Sequence, residues 1–219
     1  MMLSSRRHPF SPIQIFEDLF DEWGPQHWWP AKTDFEVVVG AILTQNTNWS
    51  NVERAIANLS DLNALSSENM SALDDTELAE AIRPSGYYNI KTRRLRNFLD
   101  HLNLRHEGSL HRMFQLDTDE LRNELLYING IGPETADSIL LYAAKRPVFV
   151  IDAYTRRFTV RHGWAESSER YSDLSLKFTR DMPADLRVLN EFHALIVKLG
   201  KEYCRAKPIC KGCPLRKYL

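Results

Sequence analysis

The stretch from Phe35 to Gln45 reads FEVVVGAILTQ, and it is apolar on nearly every side of a helix. Such a helix has no face to offer water, so it belongs in the middle of a protein. It demands enough surrounding chain to cover it. The 219 residues supply that, as one large domain or as two small lobes. Thr33-Asp-Phe-Glu36 has the form of a capping box that opens this helix. The pattern is helical almost throughout. Ser11-Pro12 reads as an N-cap followed by Pro at the first helical position, and Ile13, Phe16, Phe20 and Trp23 recur at helical spacing before Gly24. Val52, Ala55, Ile56 and Leu59 mark another helix, and residues 78–82 a short one ended by Pro84. YYNIKTRRLRNFLDHL is a basic amphipathic helix with Leu95, Phe98, Leu99 and Leu102 facing inward. Asp117 and Glu120 cap a helix that runs to Tyr127. Further helices are expected over 133–144, 153–162, 168–180 and 185–203. RPVFVID alone reads as extended, too short to seed a sheet, so the expected class is all-α.

The formal net charge of −1 announces no polyanionic partner, but the charges are segregated. Lys91, Arg93, Arg94 and Arg96 form one basic group, Arg156, Arg157 and Arg161 another, and the chain beyond Lys198 a third. Acid gathers over 68–80. That separation fits a near-neutral protein with a basic face, or simply solvated helix faces. No stretch is long enough and apolar enough to span a membrane, and MMLSSRRHPF has no apolar core of a signal peptide, so a cytoplasmic protein is expected. The three cysteines lie within 204–213 and make no disulfide framework.

LRNELLYINGIGPETADSILLYAA places a tight turn between two amphipathic helices, the hairpin falling at about 128–134. Gly130 and Gly132 permit positive φ and close approach of another backbone. Pro133 suits the first helical position. Amides of the turn (Gly130, Ile131, Gly132) and of the new first turn (Thr135) would form a small anion site at the positive end of a helix, apt for a DNA phosphate. On Gly-x-Gly alone, a structural αα-hairpin is the better reading. Downstream, VFVIDAY sets Asp152 after an apolar segment and at the start of a helix.

The hairpin with Gly130 and Gly132, followed by a helix and then Asp152, resembles the helix-hairpin-helix DNA glycosylases of the endonuclease III superfamily. Upstream, GAILTQNTNWSNVERA is similar to the family's early buried helix and its Gln-x-Thr turn, here Gln45 and Thr47. GYYNIKTRRL is similar to the family's Gly-x-Tyr-Asn-x-Lys-Ala segment, with Thr92 in place of Ala, and HALIVKLGKEYC resembles the helix before its cysteine cluster. The likeness covers roughly residues 30 to 213. It implies two all-α lobes with the active site in a cleft between them. Residues 36–146 would form a helical barrel containing the hairpin, and 1–35 with 147–219 the second lobe, ending in the cysteine-rich loop at 204–213.

In the bifunctional members a lysine follows the hairpin, forms a Schiff base with the sugar C1′ and allows strand cleavage. Glu134 stands at that place here, and a carboxylate cannot form a Schiff base. The resemblance therefore implies a monofunctional DNA glycosylase of base excision repair, with lyase activity absent or slight. Asp152 is the expected catalytic group. It would stabilise the positive charge that develops on the deoxyribose and orient or deprotonate the attacking water. As an N-cap it would accept backbone N–H bonds that favour its ionised form. The target base must leave the duplex and enter a pocket. Trp28, Trp29 and Trp49 are candidate walls, and aromatic faces hold a cationic base best. N-alkylated purines carry that charge and need no general acid, and none is evident. The Trp-Trp-Pro segment, Gln45 to Thr47, RPSGYYN and the missing lysine resemble the superfamily's 3-methyladenine DNA glycosylases. Gln45 is expected in the pocket or in the gap left by the flipped base. Oxidised or mismatched pyrimidines are the alternative substrates, and a non-catalytic DNA-binding protein is the alternative class.

Cys204-x5-Cys210-x2-Cys213 resembles the loop that holds the family's [4Fe–4S] cluster through four cysteines, with a first gap one residue shorter. Three thiolates are present and the fourth ligand is unidentified. The terminal carboxylate of Leu219 falls at the fourth place and could serve. Zinc, with three cysteines and perhaps His193, comes second, and a loop with free thiols third. Lys207 and Lys211 are expected to meet phosphates of damaged double-stranded DNA, the protein acting as a monomer.

Overall fold

The computed structural model describes residues 9–26, 28 and 31–219. Among these there are twelve α-helices and two 3-10 helices, and no strand. The chain is all-α. It divides into two compact units: one joins the N-terminal part up to Trp28 with Pro147–Leu219, and the other is Trp29–Arg146.

The unit Trp29–Arg146 is built around α2 (Asp34–Leu43), in which Phe35 and every residue from Val37 to Leu43 is buried. The helix packs against α3 (Trp49–Asp61), α6 (Tyr88–His106) and α9 (Pro133–Tyr142). Thr33 starts it by accepting from the Glu36 amide, whereas the Glu36 carboxylate reaches the Lys32 amide, one residue before the position a full capping box uses. Thr33 thereby binds its own segment to this unit. The short helices α4 (Ser67–Ala72) and α5 (Asp75–Ala81) and a 3-10 turn (Arg83–Ser85) follow. Asp74 and Glu77 complete a reciprocal capping box on α5. After α6 come α7 (Leu110–Met113) and α8 (Thr118–Tyr127), the latter capped by Asp117 on the Glu120 amide.

In the other unit, α1 (Pro12–Trp23) packs on α12 (Leu186–Glu202) and on the last 3-10 helix (Pro214–Tyr218). Between them lie α10 (Ala153–Arg161) and α11 (Tyr171–Arg180). Ser11 precedes α1 as expected, but its side chain makes no capping bond. The core is aromatic: Phe149, Phe158, Phe178 and Phe192 are fully buried, and Phe149 stacks on Phe178 with centroids 4.6 Å apart. The extended segment at 147–152 needs partners for its backbone, and side chains provide them. The Phe149 amide donates to Thr179 Oγ1 at 3.0 Å, Ser175 Oγ donates to the Phe149 carbonyl at 2.9 Å, and the Ile151 amide donates to the Tyr171 hydroxyl at 3.2 Å. Helix α11 thus does what a neighbouring strand would do. No described helix is long and apolar enough to cross a membrane.

Candidate active site and DNA-binding elements

Asp152 is the N-cap of α10. Its Oδ1 accepts from both the amide and the hydroxyl of Thr155, at 2.7 and 2.8 Å. Its Oδ2 faces His193 Nε2 on α12 at 3.6 Å, and the two side chains are 11% and 7% exposed. Burial pushes the Asp152 pKa up. The facing His193 and the two Thr155 donors outweigh it and hold the carboxyl below its ordinary value. Two aromatic rings fix the imidazole edge-on, Trp28 at 6.4 Å and Phe149 at 6.2 Å between centroids. The Trp28 indole N–H is buried and meets no acceptor among the described residues, and Lys201 Nζ lies 5.9 Å from its ring centre. Asp152 and Trp28, both candidates in the sequence, lie against one imidazole, that of His193; nothing local links α10 to α12, so no spacing announces this contact. His193, the candidate fourth zinc ligand, faces Asp152 and not the cysteines. Trp29 lies outside the described residues.

The hairpin between α8 and α9 has the expected form. Gly130 sits at φ +99°, the Ile131 amide closes the turn on the Ile128 carbonyl at 3.0 Å, and Gly132 precedes Pro133 in extended conformation. A Cβ on Gly130 would come within 2.3 Å of Arg94 Cγ, so α6 presses directly on the turn, while one on Gly132 would meet open space. That leaves Gly132 as the approachable side of the turn, and the first amides of α9 have no intrahelical acceptor. Gln45 ties α2 to this turn: its Nε2 donates to the Gly130 carbonyl at 3.0 Å and to Thr135 Oγ1 at 2.8 Å, and Arg94 donates to its Oε1. Thr135 is buried, and its hydroxyl serves the interior of the hairpin. Glu134 is exposed in the first turn of α9, where an acid suits the helix dipole. Trp49 begins α3, donates to Glu53 Oε1 at 2.9 Å and lines a cavity of about 360 Å³ with Glu36, Gly40, Ile56 and Asp61, all within Trp29–Arg146.

The basic groups are largely committed to structure. Lys91 is buried and its ammonium donates to the carbonyls of Leu43 and Ser85, both at 2.7 Å, and burial lowers its pKa to about 8. Arg96 is bound to Asp75 and to the Met70 carbonyl. Arg157 donates to the carbonyls of Cys204 and Gly200, and Arg161 to Cys204 Sγ at 3.2 Å and the Ala206 carbonyl at 2.8 Å. These two arginines hold the cysteine loop against α10. Lys207 and Lys211, on that loop, are exposed.

Cys204 is buried, Cys213 half-buried and Cys210 exposed. Burial raises the Cys213 pKa, and the neighbouring Cys204 and Cys210 add to the rise. A tetrahedral zinc with Zn–S near 2.3 Å would gather its sulfurs to about 3.8 Å from one another. The three thiols do not gather within 4.8 Å, unlike another cluster described below. The set fits a larger cofactor better than a single ion, and it is one thiol short of the four an iron–sulfur cluster takes.

The chain matches the model of the HhH-GPD superfamily of base excision DNA repair proteins over residues 39–183. It is 46% identical over 207 residues to a candidate DNA repair glycosylase of Methanocaldococcus jannaschii, spanning 94% of both chains. It is 32% identical to endonuclease III of Sulfolobus acidocaldarius over 84% of this chain and 80% of the other. Among solved structures, the H. pylori 3-methyladenine DNA glycosylase bound to 1,N6-ethenoadenine superposes with a TM-score of 0.77, at 28% identity, covering 88% of this chain and 98% of that one. An endonuclease III–DNA complex has the same fold, with a TM-score of 0.79 at 20% identity over 95% of both chains. The chain belongs to the HhH-GPD superfamily and is a DNA N-glycosylase of base excision repair.

Proposed function

We propose that the protein is a monofunctional glycosylase that removes an alkylated purine, such as 3-methyladenine, from double-stranded DNA. The observation that carries this reading is Asp152, buried yet ionised, with one oxygen saturated by Thr155 and the other toward His193 beside Trp28. A carboxylate fixed in that way stabilises positive charge on the deoxyribose without reorganising as the bond breaks. The same group orients the water that attacks C1′. His193, facing Oδ2, fixes the carboxylate from the α12 side and, with the Thr155 donors, favours the ionised form of Asp152. Glu134, where a Schiff-base lysine would stand, supports hydrolysis without strand cleavage. The indole face of Trp28 suits a flipped cationic base, and its buried N–H, with no acceptor among the described residues, suits a lone pair on that base. The likeness to a 3-methyladenine DNA glycosylase adds to this reading. The hairpin amides from Gly130 to Thr135, with Lys207 and Lys211, would hold the DNA backbone, and Gln45 supports the hairpin from behind.

The likeness to endonuclease III favours a second reading, in which the lesion is an oxidised or mismatched pyrimidine. One experiment separates them: base release from duplex DNA methylated to contain 3-methyladenine and 7-methylguanine, with abasic sites counted before and after alkali. Wild-type protein is expected to release the bases, with strand breaks only after alkali, and Asp152→Asn to lose about a hundredfold or more of the rate. Breaks without alkali overturn the monofunctional reading, and no release moves the substrate to the pyrimidines.

For the cysteine loop we propose a [4Fe–4S] cluster held by Cys204, Cys210 and Cys213 with an unidentified fourth ligand; its role would be to stiffen the loop that carries Lys207 and Lys211. Analysis of iron and acid-labile sulfide tests this, and zinc alone or no metal at Cys204, Cys210 and Cys213 overturns it.

A further inference from the structure

A second cluster of donor side chains lies far along the sequence from Asp152 and the cysteines. His101 and His106 stand on the last turns of α6, and Glu124 on α8. Both imidazole Nε2 atoms converge on one carboxylate oxygen, Glu124 Oε1: His101 at 2.8 Å, and His106 closer still. The three side chains are 12–16% exposed, enclosed but within reach of solvent. Their ligand atoms lie within 4.8 Å of one another, and no other group of three His, Cys or carboxylate donors among the described residues does so.

The local backbone explains the convergence. Helix α6 ends at His106, and the chain then turns through two left-handed residues, Glu107 at φ +53° and Gly108 at φ +73°. A sharp stop at that point leaves the last imidazole free to lean toward α8. His101 is one turn and a half earlier and leans the same way, its ring 6.3 Å from that of His106 and 6.4 Å from that of Tyr127 on α8.

We propose that His101, His106 and Glu124 bind one divalent transition-metal ion of the Zn2+ type, which staples α6 to α8. Two imidazoles and one carboxylate are a preferred donor set for that class of ion, and three protein ligands leave a fourth tetrahedral place for water. An ion with ligand bonds near 2.1 Å needs its donors about 3.4 Å apart, more than the two nitrogen–oxygen separations here, so the Glu124 carboxylate turns outward by a torsion to admit it. The effect is on the hairpin. Helix α8 runs straight into the Gly130–Gly132 turn and is already fixed to α9 by Arg122 on the buried Asp137 carboxylate. The metal fixes its other flank to α6, whose Arg94 presses on Gly130. The turn that meets the DNA backbone is then held from both sides.

The site is tested on full-length protein stripped of loosely held metal and titrated with Co2+, then with Zn2+. Coordination by nitrogen and oxygen gives d–d absorption without the sulfur-to-metal charge transfer that a cysteine site shows, so the two sites are told apart in one spectrum. We expect one equivalent of Co2+ with the nitrogen–oxygen spectrum, displaced by Zn2+, and lost in His106→Gln and in Glu124→Gln. Zn2+ at about a hundredfold above its Kd is expected to raise the unfolding temperature of wild type by several degrees and to leave those variants unmoved. A measurement on wild type alone guards against variants that fail to fold: Zn2+ should protect His101 and His106 from acylation by diethyl pyrocarbonate, read by mass spectrometry, and leave the exposed His111 reactive. Absence of a nitrogen–oxygen spectrum, or equal labelling of both histidines with and without Zn2+, overturns the proposal and leaves a hydrogen-bonded triad.

Discussion

Asp152 shows what single residues contribute. Its burial works against ionisation, and His193 with the Thr155 donors reverses the balance. Because its folded pKa is depressed, the group adds stability above the unfolded carboxylate pKa of about 3.9, and that contribution is lost as pH falls through the folded value. Base release should therefore show no acid limb from Asp152 between about pH 5 and 8. A bend in that range for wild type that Thr155→Val moves to higher pH would contradict the assigned charge state. Thr92 is a case of the opposite kind. It replaces the alanine of the family's segment, is buried on α6, and its hydroxyl has no hydrogen-bond partner among the described residues. An unpaired buried hydroxyl is costly, and alanine is the better helix former. Thr92→Ala is expected to stabilise the protein by about 1 kcal/mol, measured by urea unfolding; a lower midpoint would mean that the hydroxyl is satisfied. Asp152 was legible in the sequence because a cap is a local feature, written within three residues. His193 was not, since a contact between α10 and α12 leaves no mark at any fixed spacing.

The helices follow the same division. Their starts at Thr33, Asp117, Asp152 and Asp185 were readable, each a side chain accepting from an amide two or three residues on. The all-round apolar α2 was readable as the buried centre of its unit. The start of α11 is expected at 168, three residues early; the helix begins at Tyr171, after Arg170, which offers no side-chain cap. The four- and six-residue helices α7 and α4 show too little periodicity to be seen. What the clusters of Lys and Arg do was also hidden. Lys91, Arg157 and Arg161 read as basic surface, yet their partners are carbonyls and a sulfur on elements distant in sequence. The contact between α10 and α12 depends on one such unreadable fit. A Cβ on Gly200 would fall 2.1 Å from Tyr154 Cδ1 and 2.9 Å from its Cβ, and an atom so near the backbone cannot swing aside. Gly200→Ala is therefore expected to cost about 1–3 kcal/mol in thermal or urea unfolding. An unchanged midpoint would show that the helices can slide apart without loss.

At the scale of the whole molecule, a formal charge of −1 has to be reconciled with binding a polyanion. The structure narrows the answer by removing candidates. Lys91 is buried, and Arg96, Arg157 and Arg161 are engaged by their own chain, so the charge they carry is spent on folding. Lys207 and Lys211 remain exposed, on a loop whose position is set by Arg157 and Arg161 and whose following 3-10 helix is anchored to α1 through Lys217 and Tyr218 on Asp18. Two arginines engaged by backbone carbonyls thus hold in place the loop that carries two exposed lysines. Each phosphate neutralised on duplex DNA contributes about 0.9 to the slope of log K against log salt. Replacing Lys207 and Lys211 together by alanine should lower that slope by about 2, with binding weakened equally for damaged and undamaged duplex. Base release at saturating DNA should be unchanged, because neither lysine touches Asp152 or Trp28. A slope that stayed the same would remove the loop from the DNA interface, leaving the hairpin amides to carry the backbone contact. A changed slope together with slower release at saturation would instead mean that the loop also sets the geometry of the reacting sugar.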